Sequence, residues 1–319
     1  MTPTRTAAPC PAFGVRRPVP AALLLAALLA FGAGGCSVKR IAANKIADTL
    51  ASSGSSVASD DDPDLIRDAA PFNLKLMEST LAETPKHRGL LLATCSSFTQ
   101  YAYAYVQQEA EAAEDRDLAA ADALRARARR LYFRARGYGL RGLEVRHPDF
   151  GQRLRTDPAA AVAETDAKDV PLLYWTAACW GLAIAISKDQ PDVVADQPQV
   201  EALIDRALAL DEAFDSGAIH SFLISYEPSR LRGQGDPLAR SREHFDRAME
   251  LCGGRMASPL VALAETVSVK TQNRAEFESL LQQALAIDPD ARPEWRLNNL
   301  ILQRRARWLL SRADVLFVE

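Results

Sequence analysis

The sequence has 319 residues, of which 48% are hydrophobic and 25% are charged, with 38 basic and 41 acidic side chains. The formal charge of −3 provides no positive excess for holding a polyanion, so composition argues against a nucleic-acid-binding protein. Only 16 residues are glycine, while Ala, Leu, Arg and Glu are frequent, and this composition favours helices.

The first 35 residues have the three-part plan of a secretory signal. Arg16 and Arg17 precede an apolar run over residues 21–31, and small residues follow at 33–35. The apolar run is well short of the roughly 20 residues that cross a bilayer as a helix. We therefore predict that residues 1–35 are a signal peptide that is removed on export. The remaining 284 residues carry a formal charge of −6, because the removed segment holds three arginines and no acidic residue.

Cys36 follows the small residues in the sequence AGGC. This resembles a bacterial lipobox, in which a lipid-modified cysteine becomes the first residue of the mature protein, although Ala33 stands where leucine is usual. We predict that Cys36 is the lipid attachment point and anchors the protein to a membrane. The alternative is ordinary signal cleavage beside a cysteine that has no role.

The segment after the anchor is rich in serine. Residues 36–61 include the sequence ASSGSSVASDD, which predicts a lipid-anchored N-terminal segment and a flexible tether. Asp62 and Pro63 then form an N-cap residue followed by proline at the first helical position. We expect a helical domain over residues 62–319, with Pro71 kinking or restarting its first helix.

A run of tyrosines, YAYAY at residues 101–105, lies in a long stretch rich in Ala, Gln and Glu. It alternates like a strand, but the stretch lacks the turn signals that a hairpin needs, so we interpret it as helix. Tyr101 and Tyr105 should then share one face, with Tyr103 pointing elsewhere. These two tyrosines either pack in the core or face a ligand.

Two further motifs suggest chemistry that their context does not support. The sequence GYGLRG at residues 137–142 matches a dinucleotide-binding pattern, but it follows an arginine-rich helical stretch and not a strand. Close helix packing explains these glycines better than a cofactor. The arginines upstream of them follow many acidic residues, which predicts a salt-bridged, solvated surface.

The segment LLYWTAACWGLAIAI at residues 172–186 combines large aromatic and small side chains. Asp169 is placed to cap this helix. Small residues let another helix approach or leave a hollow, and aromatic residues can wall it. Tyr174, Trp175 and Trp180 are therefore candidates, with Tyr101 and Tyr105, for lining an apolar ligand channel; the alternative is core packing.

Three later segments resemble one another. LIDRALALDE, HFDRAMELCG and LLQQALAIDP align on Ala207, Ala248 and Ala284, with large apolar residues three positions before and after each alanine. The third copy ends in Asp288-Pro289, as the second helix of a tetratricopeptide repeat does. We predict an all-α protein whose helical hairpins stack as an irregular, tetratricopeptide-like repeat domain.

No motif of catalytic residues stands out. His87, His147, His220 and His244 form no paired metal-ligand motif, and no nucleophile elbow is present. The cysteines are not at metal-ligand or redox spacing, and Cys95 and Cys179 lie in apolar runs where thiols act as small hydrophobic groups. We expect a protein that is not an enzyme and has no metal and no cofactor. An enzymatic site would need His220 or His244 beside two carboxylates in a pocket.

Several segments together resemble one family, the T-component (TatT) lipoproteins of TRAP transporters. The matching segments lie at residues 60–81, 132–150, 174–211, 217–223 and 277–317 and begin with DDDPDL, YFRARG, YWTAAC, GAIHSF and FESLLQ. They are spread over nearly all of the chain that follows the signal. Glu212 departs from the pattern, because it stands where the proline of a repeat end is expected.

The resemblance implies an all-helical lipoprotein of the cell envelope that faces the periplasm, with the outer membrane as its expected location. It implies association with the periplasmic solute-binding protein of a TRAP transporter, and homo-oligomers, such as trimers, that enclose apolar channels. From this we expect a scaffolding and binding protein that handles a small apolar or organic-acid ligand. The alternative is a repeat lipoprotein that organises envelope assembly and binds no small molecule.

Overall fold

The computed structural model describes Thr2, Thr4 and residues 41–231 and 233–318. The chain divides into two units, Met1–Ala42 and Ala43–Glu319. Apart from Thr2 and Thr4, the predicted signal peptide lies outside the described residues, and so does Cys36. The rest of this section concerns the second unit, which is helical throughout and contains no strand within the part that the structure describes. The prediction of an all-α protein is confirmed.

The described residues of the second unit form seventeen α-helices. They are α1 (residues 43–52), α2 (Gly54–Ala58), α3 (Pro63–Glu83), α4 (Arg88–Ala102), α5 (Gln108–Ala113), α6 (Leu118–Glu144), α7 (Phe150–Thr156), α8 (Pro158–Ala163), α9 (Val170–Ala185), α10 (Pro191–Val194), α11 (Gln197–Leu210), α12 (Ala218–Tyr226), α13 (Pro237–Cys252), α14 (Ala257–Leu263), α15 (Arg274–Ala286), α16 (Arg296–Leu310) and α17 (Ala313–Leu316). Two π-helical turns, Tyr103–Gln107 and Ala264–Ser268, follow α4 and α14 directly. Within the described residues, no helix is both long and apolar enough to cross a bilayer.

The start of α3 agrees with the sequence. The Asp62 side chain accepts hydrogen bonds from the backbone N–H groups of Asp64 and Leu65, and Pro63 takes the first helical position. Of the two outcomes expected at Pro71, a kink or a restart, the restart is wrong, because α3 continues through Pro71 to Glu83. Pro71 and Arg67, whose carbonyl loses its helical partner, are both exposed, so water can satisfy that carbonyl.

The serine-rich segment differs from the flexible linker that its composition predicts. Gly54–Ala58 is helical, and the carbonyl of Ser59 accepts a hydrogen bond of 2.8 Å from Arg296 at the start of α16. The hydroxyls of Ser53 and Ser56 donate to backbone carbonyls three residues earlier, which lets serines satisfy their own polar groups inside a helix.

The three similar segments lie in α11, α13 and α15. Each of these helices packs against an earlier one, in the pairs α9 with α11, α12 with α13, and α14 with α15. The aligned alanines, Ala207, Ala248 and Ala284, are completely buried. The absence of a larger side chain lets the paired helices approach closely, as the predicted stacking of helical hairpins requires.

The glycines of GYGLRG serve helix packing, as the sequence suggested. A Cβ atom on Gly139 would lie 2.2 Å from Oγ1 of Thr176, and one on Gly142 would lie 2.6 Å from Cδ2 of Leu172. Both contacts are closer than atoms can approach, so α6 and α9 touch only because these positions lack a side chain. Gly137 meets no such neighbour.

Asp169 has a different role from the one its position suggested. It precedes α9, but its side chain does not cap that helix. Instead, it accepts from the backbone N–H of Asp166 and binds Arg88, Arg146 and His147 at 2.8–2.9 Å. The buried carboxylate thus joins the start of α4 to the end of α6, and it is stable there because several donors replace its water.

Candidate functional site

A cavity of about 710 Å³ lies between the N-terminal helices and α16. Its walls come from α1, α2, α3, α4, the first π turn, α9 and α16, with Phe214 from the segment before α12. A volume of this size is typical of sites for small organic ligands, which usually fall between about 300 and 1,000 Å³. The cavity is therefore the candidate functional site.

The last long helix forms one wall of this cavity by returning to the beginning of the domain. Arg304 of α16 binds the carboxylate of Asp64 in α3 through two hydrogen bonds of 2.9 Å. Arg312 pairs with Asp115, which follows α5. These contacts, with that of Arg296 to Ser59, join two ends of the domain that are far apart in the sequence.

A further ion-pair cluster supports α16 from the side. Arg305 is largely buried and binds Glu111 of α5 at 2.5 Å and Glu265 of the second π turn at 2.6 Å. Burial raises the pKa of Glu265, and the Arg305 guanidinium opposes that shift. One cation between two carboxylates holds three helical segments together and fixes the position of α16.

The lining of the cavity is mostly apolar. Aliphatic side chains from three sides include Leu50, Ile66, Leu74, Met77, Leu92, Leu297 and Ile301. Its polar groups are mostly uncharged and include Asn73, Ser97, Gln100 and Asn298. Among the described residues that line it, Glu294 alone carries a formal charge, and it pairs with Arg292 at 3.0 Å. Such a wall suits an apolar ligand, because it supplies no cation to replace the water around a carboxylate.

Three of the five aromatic residues singled out from the sequence line this cavity: Tyr101, Tyr105 and Trp175. The rings of Tyr101 and Tyr105 lie 5.9 Å apart, so these residues share a face as expected. Tyr103 also reaches the cavity, although the helical spacing placed it elsewhere. The reason is the π turn at Tyr103–Gln107, whose wider winding shifts the directions of successive side chains.

The other two aromatic residues are not in the lining. Tyr174 lies behind the wall, where the centroid of its ring is 5.1 Å from that of Trp175 and 5.4 Å from that of Phe214. Trp180 is in the core: its Nε1 donates to Asp196 at 3.1 Å, and the Arg136 guanidinium lies 4.5 Å from its ring. Tyr174 therefore supports the site from behind, whereas Trp180 takes the core-packing role that was the alternative.

Sequence reasoning missed the part of the site that α16 supplies. Leu297 and Ile301 of α16 line the cavity, but nothing in the sequence pattern indicates that this helix meets α2 and α3. Phe214 was missed as well. It lies in a short 3-10 turn, Phe214–Ser216, where no helical periodicity marks an inward-facing residue.

None of the described residues that line the cavity is a histidine. His220 and His244 contact each other, with 2.9 Å between their Nδ1 atoms, and their Nε2 atoms are 3.7 Å from Glu212 and 3.9 Å from Glu227. Burial lowers the pKa of both imidazoles, to about 4 for His244. Within the described part of the chain, no cluster of three or more His, Cys, Asp or Glu residues is arranged to hold a metal ion.

The cysteines of the helical unit are buried and unpaired. Cys95 and Cys179 are fully buried, and Cys252 is nearly so. A hydrogen bond with the Cys179 thiol, together with burial, raises the pKa of Cys95 well above its usual value. Cys95 and Cys179 thus belong to the apolar interior, as the sequence predicted.

Two comparisons relate the chain to known proteins. The protein family described as "TRAP transporter T-component" matches residues 59–317. A protein of Treponema pallidum (strain Nichols), described as "Uncharacterized protein", is 27% identical over 306 residues. That similarity covers 89% of this chain and 94% of the relative.

Proposed function

The chain belongs to the TRAP transporter T-component family, and from this premise we propose that it serves a TRAP transporter as a scaffolding and binding protein and not as an enzyme. Its place is the cell envelope, where such transporters work. The observation that supports a binding role is the mostly apolar cavity of about 710 Å³ between α3, α4 and α16.

The proposed partner is the periplasmic solute-binding protein of the transporter. An anchor at Cys36 would hold this chain at the membrane surface, with the outer membrane as the proposed location. Anchoring confines both partners to one thin layer, which raises their effective concentration and makes a modest affinity sufficient. We further propose homo-oligomers, with the trimer as the form to test.

The proposed ligand is small and apolar. An organic acid fits the large cavity less well, because no Lys, Arg or His is among the described residues that line it. The alternative function, a scaffold for envelope assembly without a ligand, leaves this apolar hollow without a purpose. Native mass spectrometry after gentle purification separates the two, since a recurring copurified molecule supports the ligand-binding function and its absence supports the scaffold.

The sharpest test of the partner is a pull-down of the solute-binding protein that is encoded alongside this chain. We expect the two purified proteins to bind each other in solution, and analytical ultracentrifugation of the same samples gives the oligomeric state. If the pair shows no binding at high micromolar concentration, the proposed partner is wrong.

The anchor needs its own test, because Cys36 lies outside the described residues. Cells grown with a fatty-acid analogue should incorporate label into the protein, and Cys36→Ser should abolish the incorporation. Equal labelling of the variant would exclude Cys36 as the attachment point.

A further inference from the structure

A second, smaller cavity of about 360 Å³ adjoins the first. The two share Ala104, Tyr105 and Ile301 as lining residues, so Tyr105 and Ile301 stand at the boundary between them. The character of the walls changes across this boundary. The large cavity is mostly apolar, whereas the small one is lined by Asp64, Arg67, Gln108, Glu109 and Arg304.

Two arginines and two carboxylates line the small cavity, so their formal charges cancel. One carboxylate is already paired with arginine, and the other is exposed to solvent. Asp64 receives both hydrogen bonds of Arg304 and lies 3.2 Å from Nη1 of Arg67. Glu109 is exposed to solvent. Arg67 is also paired with Asp68, so both guanidinium groups of this cavity are already bound to carboxylates, and a polar group that enters it need not carry a full charge.

Tyr105 has an unpaired hydroxyl at this boundary. Its oxygen is buried, and no hydrogen-bond partner is found for it among the described residues. Burial raises the pKa of Tyr105 to about 12, so the hydroxyl keeps its proton and can donate. A buried donor without a partner is costly, so a turn of the phenol ring that brings this hydroxyl to a ligand oxygen in the cavity would gain a hydrogen bond.

We propose that the two cavities form one binding site for an amphiphile with a single aliphatic chain and a carbonyl-bearing polar end. The chain lies in the large cavity, and the polar end accepts a hydrogen bond from Tyr105 beside Arg304. This inference rests on the proposed ligand-binding function and makes the ligand class specific. Both a carboxylate and an ester offer the required oxygen.

The sizes of the two cavities agree with this division. The large one, at about 710 Å³, has about twice the volume of the small one, at about 360 Å³. An aliphatic chain buried in the larger cavity supplies most of the binding free energy, because apolar surface leaves water there. The polar end supplies orientation, since it finds donors at only one end of the site.

The experiment is a binding titration of the purified protein with three probes: dodecanoate, 1-dodecanoylglycerol and decane. The first two share one chain and differ in the charge of the polar end, and decane has no polar end. We expect both amphiphiles to bind more tightly than decane. If dodecanoate binds more tightly than the ester, the arginines contact the charged polar end directly. If the ester binds more tightly, the hydrogen bond from Tyr105 contributes more than the arginines do. Either result supports the site.

Tyr105→Phe removes only the hydroxyl and should weaken binding of both amphiphiles by about three- to ten-fold, while binding of decane stays the same. Tyr226→Phe is the matched control. Its hydroxyl is also buried without a partner among the described residues, but Tyr226 lines neither cavity, so this variant should bind like the parent protein. Equal binding of decane and the amphiphiles, or an unchanged affinity in Tyr105→Phe, would overturn the inference.

The two proposals can fail separately. Binding of the solute-binding protein without amphiphile binding would leave the scaffolding function and remove the amphiphile site. Amphiphile binding without binding of the solute-binding protein would leave the amphiphile site and remove the proposed partner.

Discussion

Arg304 holds the carboxylate of Asp64 through two hydrogen bonds of 2.9 Å, although the two residues are 240 positions apart in the sequence. The pair joins α16 to the first turn of α3 and closes one side of the cavity. The hydrogen bond to Arg304 is the main cause that lowers the pKa of Asp64. The contact is therefore complete at neutral pH and is lost only when the pH falls below the usual range of an aspartate.

Replacing this carboxylate should loosen the closure without unfolding the domain. Asp64→Asn keeps the size of the side chain and removes its charge, so α16 should separate from α3 more often. We expect faster amide hydrogen exchange near the ends of the closure, at residues 59–66 and 297–304. Asp68→Asn is the control, because that exposed carboxylate pairs with Arg67. Equal exchange in both variants would show that the pair does not hold the cavity closed.

The glycines of α6 offer a test with opposite signs. Gly139→Ala should destabilise the protein by about 1–3 kcal/mol, because the new methyl group overlaps Thr176 and α6 must move away from α9. Gly137→Ala, two residues earlier in the same helix, should stabilise it by about 0.5–1 kcal/mol, because no atom lies within 4 Å and alanine favours the helix. Urea unfolding measures both. Destabilisation of the same size at both positions would contradict the packing argument.

The histidine pair predicts a loss of stability in mild acid. Because burial lowers the pKa of both imidazoles, the unfolded chain binds more protons than the folded one between about pH 6.5 and 4. The pair's contribution is thus complete above pH 6.5 and is lost as the pH falls. The charged neighbours are Glu212 and Arg247 at His220, and Glu227, Arg230 and Asp205 at His244.

The measurement is the free energy of unfolding in urea at pH 7 and pH 5. We expect a decrease of about 1–2 kcal/mol from His244, whose side chain is 19% exposed and whose pKa falls to about 4. His244→Gln cannot take up the proton, so the difference between the two pH values should be smaller in this variant. The same difference in the variant and the parent protein would refute this assignment.

Local features were the easiest part of the fold to predict from the sequence. The cap at Asp62, the helical interpretation of YAYAY and the buried alanines of the repeated segments all depend on neighbouring residues or on one helix pair. The expected restart at Pro71 was wrong because the cost of a proline inside a helix depends on whether the freed carbonyl reaches water, and that is a property of the folded surface.

The cavity could be predicted only in part, because its walls combine distant segments. Tyr105 and Trp175 were singled out from the aromatic-rich segments that contain them, but the side chains of α16 that line the same cavity were not. Whether α16 meets α3 depends on the accumulated rotation of all the helices between them, which no local pattern records. Trp180 shows the same limit, since its role is decided by Asp196 and Arg136 from other helices.

Filling the cavity should remove the ligand and spare the fold. Ala93 lines the large cavity, so Ala93→Phe places a ring in space that is open in the parent protein. Native mass spectrometry should show loss of any copurified molecule, and urea unfolding should show a free energy of unfolding equal to or above that of the parent protein. The control is Ala159→Phe, which adds the same ring at an exposed position of α8 outside the cavity. Equal retention of the ligand by Ala93→Phe and Ala159→Phe would show that the ligand does not occupy the part of the cavity beside Ala93, because a phenyl ring and an apolar ligand cannot occupy the same volume.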